Sequence, residues 1–357
     1  MVLATAVKKA LIVPYRYLGD TLFASPLAKA LKKDGYRVEW LVHDGSESIL
    51  EGQSFSDQVH VLTHDNTARL TYALWQQFEL AFAVSGTDRL TAIARLAAKK
   101  VYSTLTPERF SDAWKRKLVT AWQPLSPHTH TMQYIQGLIK LAGLSPCWNA
   151  GISWQEADEK SSLIAAGVVG KKYIHIHPFS RVEYKYWPDH CWQVLVQMIL
   201  AYGFDVVVTG ASSDEDKARE YFEKIDDSSC NNHIHLCCGL LSWRQLAALS
   251  GKSSAYIGVD TANTHLAAAT GCPVLALFGP TDPRLWGPWP AMHQGDCPWQ
   301  AATPTGVQQQ GNIVLVQARM ACVPCQQEGC NKTGRSACLE KIEANRVWSL
   351  CLEKIHE

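Results

Sequence analysis

Short, almost wholly apolar runs alternate with stretches whose apolar residues recur at helical spacing, and this alternation passes through the chain twice. Residues 10–13 (Ala-Leu-Ile-Val) form one such run. A polar loop to Asp20 follows, and then a helical pattern through Leu22, Phe23, Leu27, Ala30 and Leu31. Residues 37–42, 58–62 and 80–84 predict three more strands, with helices over 67–77 and 89–98. Strands this short and this apolar suit a parallel sheet covered on both faces. The first half is therefore expected to be a doubly wound α/β unit. A second pass begins at residues 173–177. It continues with a helix over 189–201, a strand over 204–209, a helix after Ser212 and a strand over 233–236. A helix over 242–249, a strand over 255–257, a helix over 264–270 and a strand over 274–278 complete it. Residues 107–150, rich in Trp, Lys, Arg, Pro and His, read as an elaboration of the first half with one helix over 132–141. The last stretch, 339–355, has a helical period and is expected to pack back onto the first half. These patterns divide the chain into domains at 1–165 and 166–338 with a closing helix at 339–357.

Composition narrows the class. The chain has 357 residues, of which 47% are apolar and 19% charged, with a formal net charge of +1. That describes a globular chain with enough apolar surface for two cores, and not a nucleic-acid-coating protein. No apolar run approaches the roughly 20 residues that span a bilayer. The start, interrupted by Lys8 and Lys9, lacks a signal-peptide pattern, so a cytoplasmic location is expected. Twelve cysteines are present. Eight are scattered (Cys147, Cys191, Cys230, Cys237, Cys238, Cys272, Cys297 and Cys351), mostly in apolar contexts where a thiol acts as a small hydrophobe. The other four cluster as Cys322-x2-Cys325-x4-Cys330-x7-Cys338. This spacing permits four thiolates on one structural metal, zinc by default or iron. Free thiols and adventitious disulfides stand beside that reading.

The densest chemistry lies between residues 258 and 288. Asp260, Thr261 and Asn263 are helix-capping types that precede the run Leu266-Ala267-Ala268-Ala269. A helix that starts at the carboxyl end of a parallel strand offers free amides and a positive dipole end to a phosphate. The cluster Gly279-Pro280-Thr281-Asp282-Pro283 follows the next strand and falls on the same sheet edge. Neither G-x-G-x-x-G nor G-x4-G-K-S/T occurs, which removes the main support for dinucleotide dehydrogenases and P-loop NTPases. After the first strand, the loop from Pro14 through Arg16 to Asp20 sets a carboxylate at a helix start. There it can cap the helix, accept a proton from an incoming hydroxyl, or do both. In the second half, Ser180 follows a strand, and Lys185 can serve as the cation for a diphosphate leaving group. Glu215, at a helix start, is either a dipole partner or a ligand for ribose hydroxyls. Arg109, Lys115, Arg116 and Lys117 read first as a solvated helix face. The other reading is capture of phosphates or of an anionic membrane surface.

Four segments carry a resemblance: Leu18-Gly19-Asp20, Lys185-x-Trp187-Pro188, Asp260-Thr261 with His265 and Ala267-Ala268, and Phe278-Gly279-Pro280-Thr281-Asp282-Pro283. Together, and in this order over most of the chain, they resemble glycosyltransferase family 9, which contains the ADP-heptose:lipopolysaccharide heptosyltransferases. The chain departs from the family at Ala262, where Thr-Gly is common. Related family members carry a similar cysteine-rich tail. The resemblance implies the GT-B architecture of two facing Rossmann-like domains, with the acceptor side in the first and the nucleotide-sugar side in the second. It implies inversion at the sugar carbon with no catalytic metal. Asp20 would be the general base and Lys185 the cation on the departing diphosphate. Ser180, Lys185, Glu215, Asp260, Thr261, Ala262 and His265 would bind the donor, and Arg16, Arg109 and Arg116 the acceptor. The implied partners are a nucleotide-sugar donor such as ADP-heptose and a lipopolysaccharide core or other glycan acceptor. The implied location is the cytoplasm or the inner face of the cytoplasmic membrane. Two other readings remain at this stage: a sugar-nucleotide epimerase of the same architecture, and a non-catalytic nucleotide- or metal-binding module.

Overall fold

A computed structural model describes residues 7–107, 109, 112–222, 225 and 233–357 of the chain; Cys230 lies outside them. The apolar runs of the first half pair in parallel as β1 (Lys9–Val13), β2 (Arg37–His43), β3 (Gln58–Leu62) and β4 (Phe78–Ala83). Their helices are α1 (Leu18–Phe23), α2 (Ser25–Lys33), α3 (Thr67–Ala73) and α4 (Asp88–Ala97). Two strands that the pattern did not predict, β5 (Ala98–Leu105) and β6 (Ala121–Pro124), extend the sheet to the order β3-β2-β1-β4-β5-β6. β5 starts directly where α4 stops, and exposed Lys99 and Lys100 interrupt its apolar run. Between and after these strands lie α5 (Ala113–Leu118) and α6 (Thr131–Leu141). Val13, Ala81, Ala83, Val101 and their neighbours fill one side of the sheet, and each fully buried Val or Leu side chain contributes about 1.5–3 kcal/mol.

The second unit repeats this strand order. α7 (Glu156–Ala165) leads into β7 (Tyr173–His177), α8 (Asp189–Ala201), β8 (Asp205–Val208), α9 (Glu215–Phe222) and β9 (Ile234–Leu236). There follow α10 (Trp243–Lys252), β10 (Ala255–Val259), α11 (Ala262–Thr270), β11 (Val274–Leu277) and the single turn α12 (Pro283–Trp286). A hairpin of β12 (Val307–Gln310) and β13 (Ile313–Val316) precedes α13 (Ala337–Glu340) and α14 (Ala344–His356). The sheet order is β12-β13-β11-β10-β7-β8-β9, parallel throughout except for the β12–β13 pair. Both sheets reverse their winding once, at β1/β4 and at β7/β10. In open α/β sheets, ligands bind outside the carboxyl ends of the strands at that reversal.

Two compact units result: residues up to Ile152 with Gln294–Cys297, and Ser153–His293 with Pro298–Glu357. The expected boundary at 165/166 is corrected to 152/153. α7 belongs to the second unit because Asp158 and Glu159 pair with Arg244 and with Lys252 of α10. The closing helix is corrected too. Val347, Trp348 and Cys351 of α14 sit in the core of the second unit with Trp192 and Leu195 of α8, and Trp348 meets Tyr202 and Phe204 edge-on. Among the described residues, no helix is long and apolar enough to cross a membrane.

Candidate active site

In the second unit, three loops at the carboxyl ends of the strands converge on one buried carboxylate. Asp260 follows β10, and its Oδ2 lies 2.7 Å from Lys185 Nζ, at the end of the 3₁₀ turn Glu183–Lys185 that follows β7. The same oxygen accepts a 2.7 Å hydrogen bond from Thr281 Oγ1, in the loop after β11. His265 Nε2 of α11 stands 4.0 Å from Oδ1. Burial alone would raise the Asp260 pKa, but the charge and hydrogen bond of Lys185, with His265 and the Thr281 hydroxyl, together outweigh it and hold Asp260 below its ordinary value. Burial would lower the Lys185 pKa, and Asp260 reverses this, leaving the ammonium firmly charged. Burial pushes His265 down to about 4 against the pull of Asp260, with a smaller push from the Lys185 charge, so its imidazole is neutral. An ammonium has three donors. One serves Asp260, leaving others for an anion.

The start of α11 is arranged for the same kind of ligand. Its N-cap residue, Thr261, makes no side-chain cap bond. The first-turn amides are thus not closed off by a side chain, and they sit at the positive end of the helix. Ala262 is the first helical residue and is not among the residues of positive φ. Its methyl group therefore costs no backbone strain, and the departure from Thr-Gly is conformationally harmless. Asn263 anchors this turn to β7. Asn263 Nδ2 is 3.1 Å from His177 Nε2, His177 Nδ1 is 2.9 Å from Thr209 Oγ1, and Thr209 Oγ1 is 2.7 Å from His175 Nε2. Burial lowers His175 to about 3 and His177 to about 4, so the chain of bonds is neutral. Ser180 is half-buried and its Oγ accepts from the Val182 amide at 3.3 Å. Glu215 opens α9 as an exposed residue, paired at 2.7 Å with Arg219 one turn on. Asp282 caps α12, accepting from the Arg284 amide at 2.9 Å.

In the first unit, Asp20 lies in the first turn of α1, after β1 and at the sheet's own reversal point. It is 7% exposed, and its Oδ2 accepts from the Tyr17 amide at 3.0 Å. Burial pushes its pKa up to about 6, against the pull of that amide. A carboxylate with a raised pKa is a stronger base near neutrality. Exposed Arg16 and Arg89 both depress the pKa of His43, at the end of β2, though burial does so more. This edge of the sheet therefore carries positive charge around the end of β2. Arg109 is exposed. Arg116 is engaged by its own loop, donating to Thr106 O at 3.3 Å and Pro107 O at 3.1 Å and lying over Trp122. Lys115 is corrected: it is no part of a solvated face. It is 4% exposed and bound to Asp112, Asp88 and the Gly86 carbonyl at 2.7–2.9 Å.

The four-cysteine metal site is also corrected. Among the described residues, no three His, Cys, Asp or Glu side chains come together so as to hold a metal ion. Cys338 is buried on α13 in the core of the second unit, while Cys322 is exposed and Cys325 and Cys330 are half-buried. Burial, with Cys330 and Cys325 nearby, raises the Cys338 thiol to about 11. As folded, these four residues do not fit a metal.

Comparison with known proteins decides among the three readings left open by the sequence. A model of glycosyltransferase family 9 (heptosyltransferase) matches residues 68–309. The chain belongs to this family. It is a glycosyltransferase of the GT-B class, built from two parallel-sheet α/β domains. Lipopolysaccharide heptosyltransferase 3 of Escherichia coli is 27% identical over 301 residues, covering 77% of this chain and 84% of the relative. The structure of E. coli ADP-heptose LPS heptosyltransferase II superposes with a TM-score of 0.74 at 15% identity over 98% of each chain. The iron-containing dodecameric glycosyltransferase TibC from enterotoxigenic E. coli H10407 gives a TM-score of 0.55 at 14% identity. It covers 98% of this chain and 77% of TibC. Within this family 9 chain, the sequence singled out Lys185 and Asp260 but gave Asn263 only a capping role and Thr281 none of its own. Both lie inside segments that sequence reading had marked. Arg89 carried no sequence signal.

Proposed function

We propose that the protein transfers heptose from ADP-heptose to a lipopolysaccharide core or related glycan, with inversion at the transferred anomeric carbon. The observation that carries the donor half is the junction of Lys185, Asp260 and Thr281 beside the uncapped start of α11. A fixed ammonium and free helix amides suit a diphosphate, whose charge grows as its bond to the sugar breaks. Thr261, Ala262 and Asn263 bring amides to the phosphates, and neutral His265 and half-buried Ser180 meet sugar hydroxyls or phosphate oxygens. Glu215, exposed on α9, binds the ribose by exchanging its partner Arg219. In the first unit, Asp20 takes the proton of the acceptor hydroxyl as that oxygen attacks the anomeric carbon. The bond to the diphosphate breaks in the same displacement, and Lys185 neutralises the departing group. No step of this reading calls on a metal. Arg16, with Arg89 and Arg109, meets acceptor phosphates. Arg116 contributes less because its guanidinium is already engaged. The protein works in the cytoplasm or at the inner face of the cytoplasmic membrane.

The test is incubation with ADP-heptose and a heptose-acceptor core oligosaccharide, following ADP release. Release that depends on the acceptor supports the reading. Asp20→Ala is expected to abolish release while donor affinity stays nearly unchanged. Unchanged turnover would remove Asp20 from the base role, and donor hydrolysis without an acceptor would remove the acceptor assignment.

A further inference from the structure

A second concentration of positive charge lies in the second unit, apart from the Lys185–Asp260 junction. A cavity of about 200 Å³ opens where β13 ends and α14 begins, its walls including Gln317, Ala318, Arg319, Lys341, Ile342 and Arg346. Three of these side chains are cationic and none is acidic. Glu340 and Glu343 flank Lys341 and Ile342 in sequence and are exposed, but neither lines the cavity. The Arg319 and Lys341 side chains make no ion pair or hydrogen bond with any described residue, although the Lys341 amide donates to the Leu339 carbonyl. Arg346 donates one guanidinium N–H to the Thr305 carbonyl and keeps its others. α14 starts at the cavity wall, and its N-cap residue, Glu343, makes no side-chain cap bond. The positive end of this 13-residue helix therefore adds to the same field. The floor is firm: Gln317 is 2% exposed, and the Ile342 carbonyl accepts from Trp187 Nε1 at 2.9 Å.

Like charges gathered in a cavity without a counter-charge repel one another, at a cost that an anion removes. The volume selects the anion. Sites for whole ligands of nucleotide-sugar size run from about 300 Å³ upward, so this space suits a single phosphoryl group. Arg supplies a planar fork and Lys a point charge, the pair of donors that recurs at phosphate sites. We propose that this cavity binds a phosphate dianion, either inorganic phosphate or the phosphoryl group of a phosphomonoester. The inference stands apart from the donor reading, because none of its cations belongs to that junction. One link joins the two: Gln317 Nε2 lies 3.4 Å from the Gly279 carbonyl and 3.3 Å from the Thr281 carbonyl, and Thr281 holds Asp260.

The test is calorimetric titration of the full chain with inorganic phosphate and, separately, with glucose 6-phosphate, at constant ionic strength. Both are run in the absence and in the presence of saturating ADP. The expected result is one saturable phosphate site that persists with ADP bound and weakens at least tenfold in Arg319→Gln/Lys341→Gln. In that variant ADP affinity and the unfolding temperature should be unchanged. Saturation by glucose 6-phosphate assigns the site to phosphomonoesters, whereas saturation by inorganic phosphate alone assigns it to the free anion. The proposal is overturned if neither probe saturates, or if the double variant binds as tightly as the parent. It is also overturned if binding disappears in Lys185→Met instead, which would locate the anion at the donor junction.

Discussion

Replacing Asp20 with Asn separates the catalytic role of this residue from its structural one, because the two respond in opposite directions. The Asn side chain keeps an oxygen for the Tyr17 amide, so the first turn of α1 retains its bond. What disappears is a buried carboxyl whose pKa the fold raises from 3.8 to about 6. The folded state favours the protonated form. Its contribution is therefore complete below the unfolded pKa, near 4, and is lost as pH rises through about 6. A shift of about two units corresponds to about 3 kcal/mol, which the wild-type protein forgoes above about pH 7. Asp20→Asn should accordingly be the more stable protein at neutral pH. Its advantage should grow by about 1–1.5 kcal/mol between about pH 5 and pH 7.5. Urea unfolding of both proteins at the two pH values measures this. In the same variant, turnover should fall by roughly 10²–10⁴, the usual share of a general base. Wild-type kcat/KM should drop as pH falls below about 6, since the protonated carboxyl cannot accept the acceptor's proton. An Asn variant that is less stable than the parent at pH 7.5, or whose advantage does not change with pH, would refute the account of Asp20 as a carboxylate destabilised by burial.

Lys185→Met leaves Asp260 buried without its cation. It should cost about 3–5 kcal/mol in chemical unfolding, with part of the loss recovered in Lys185→Met/Asp260→Asn; an unaffected single variant would mean that the pair is not a buried ion pair in solution. Ala262→Gly should lower stability by about 0.5–1 kcal/mol, because a helical residue gains unfolded-state freedom, while ADP affinity by calorimetry stays within about twofold. A tenfold gain in affinity would show that the methyl group obstructs the phosphates.

The parts of the molecule legible in the sequence are those fixed by local pattern. The strands at β1–β4, β7, β8, β10 and β11 are short apolar runs, and their order around two reversal points puts Asp20, Lys185 and Asp260 at strand carboxyl ends. The parts that were not legible depend on tertiary partners. Lys115 sits in a run of three basic residues and looks solvated. Only the fold supplies Asp88 and Asp112, which draw it inside. Thr281 is one of many loop threonines until β11 brings it to Asp260, and Asn263 resembles an ordinary cap until His177 is beside it. The four cysteines have chelating spacing, but Cys338 is buried in the core and, among the described residues, no three such side chains come together to hold a metal. The apolar face of α14 could have served either domain, and the packing of Trp348 on Tyr202 and Phe204 gives it to the second.

The central claim is a single displacement in which Asp20 activates the acceptor hydroxyl and the diphosphate leaves from the donor junction. The most direct test is the anomeric configuration of the transferred heptose in the product, read from its one-bond carbon–proton coupling. ADP-heptose of one anomeric configuration should yield product of the opposite configuration. Product of the same configuration, or no product with a competent acceptor, would contradict it.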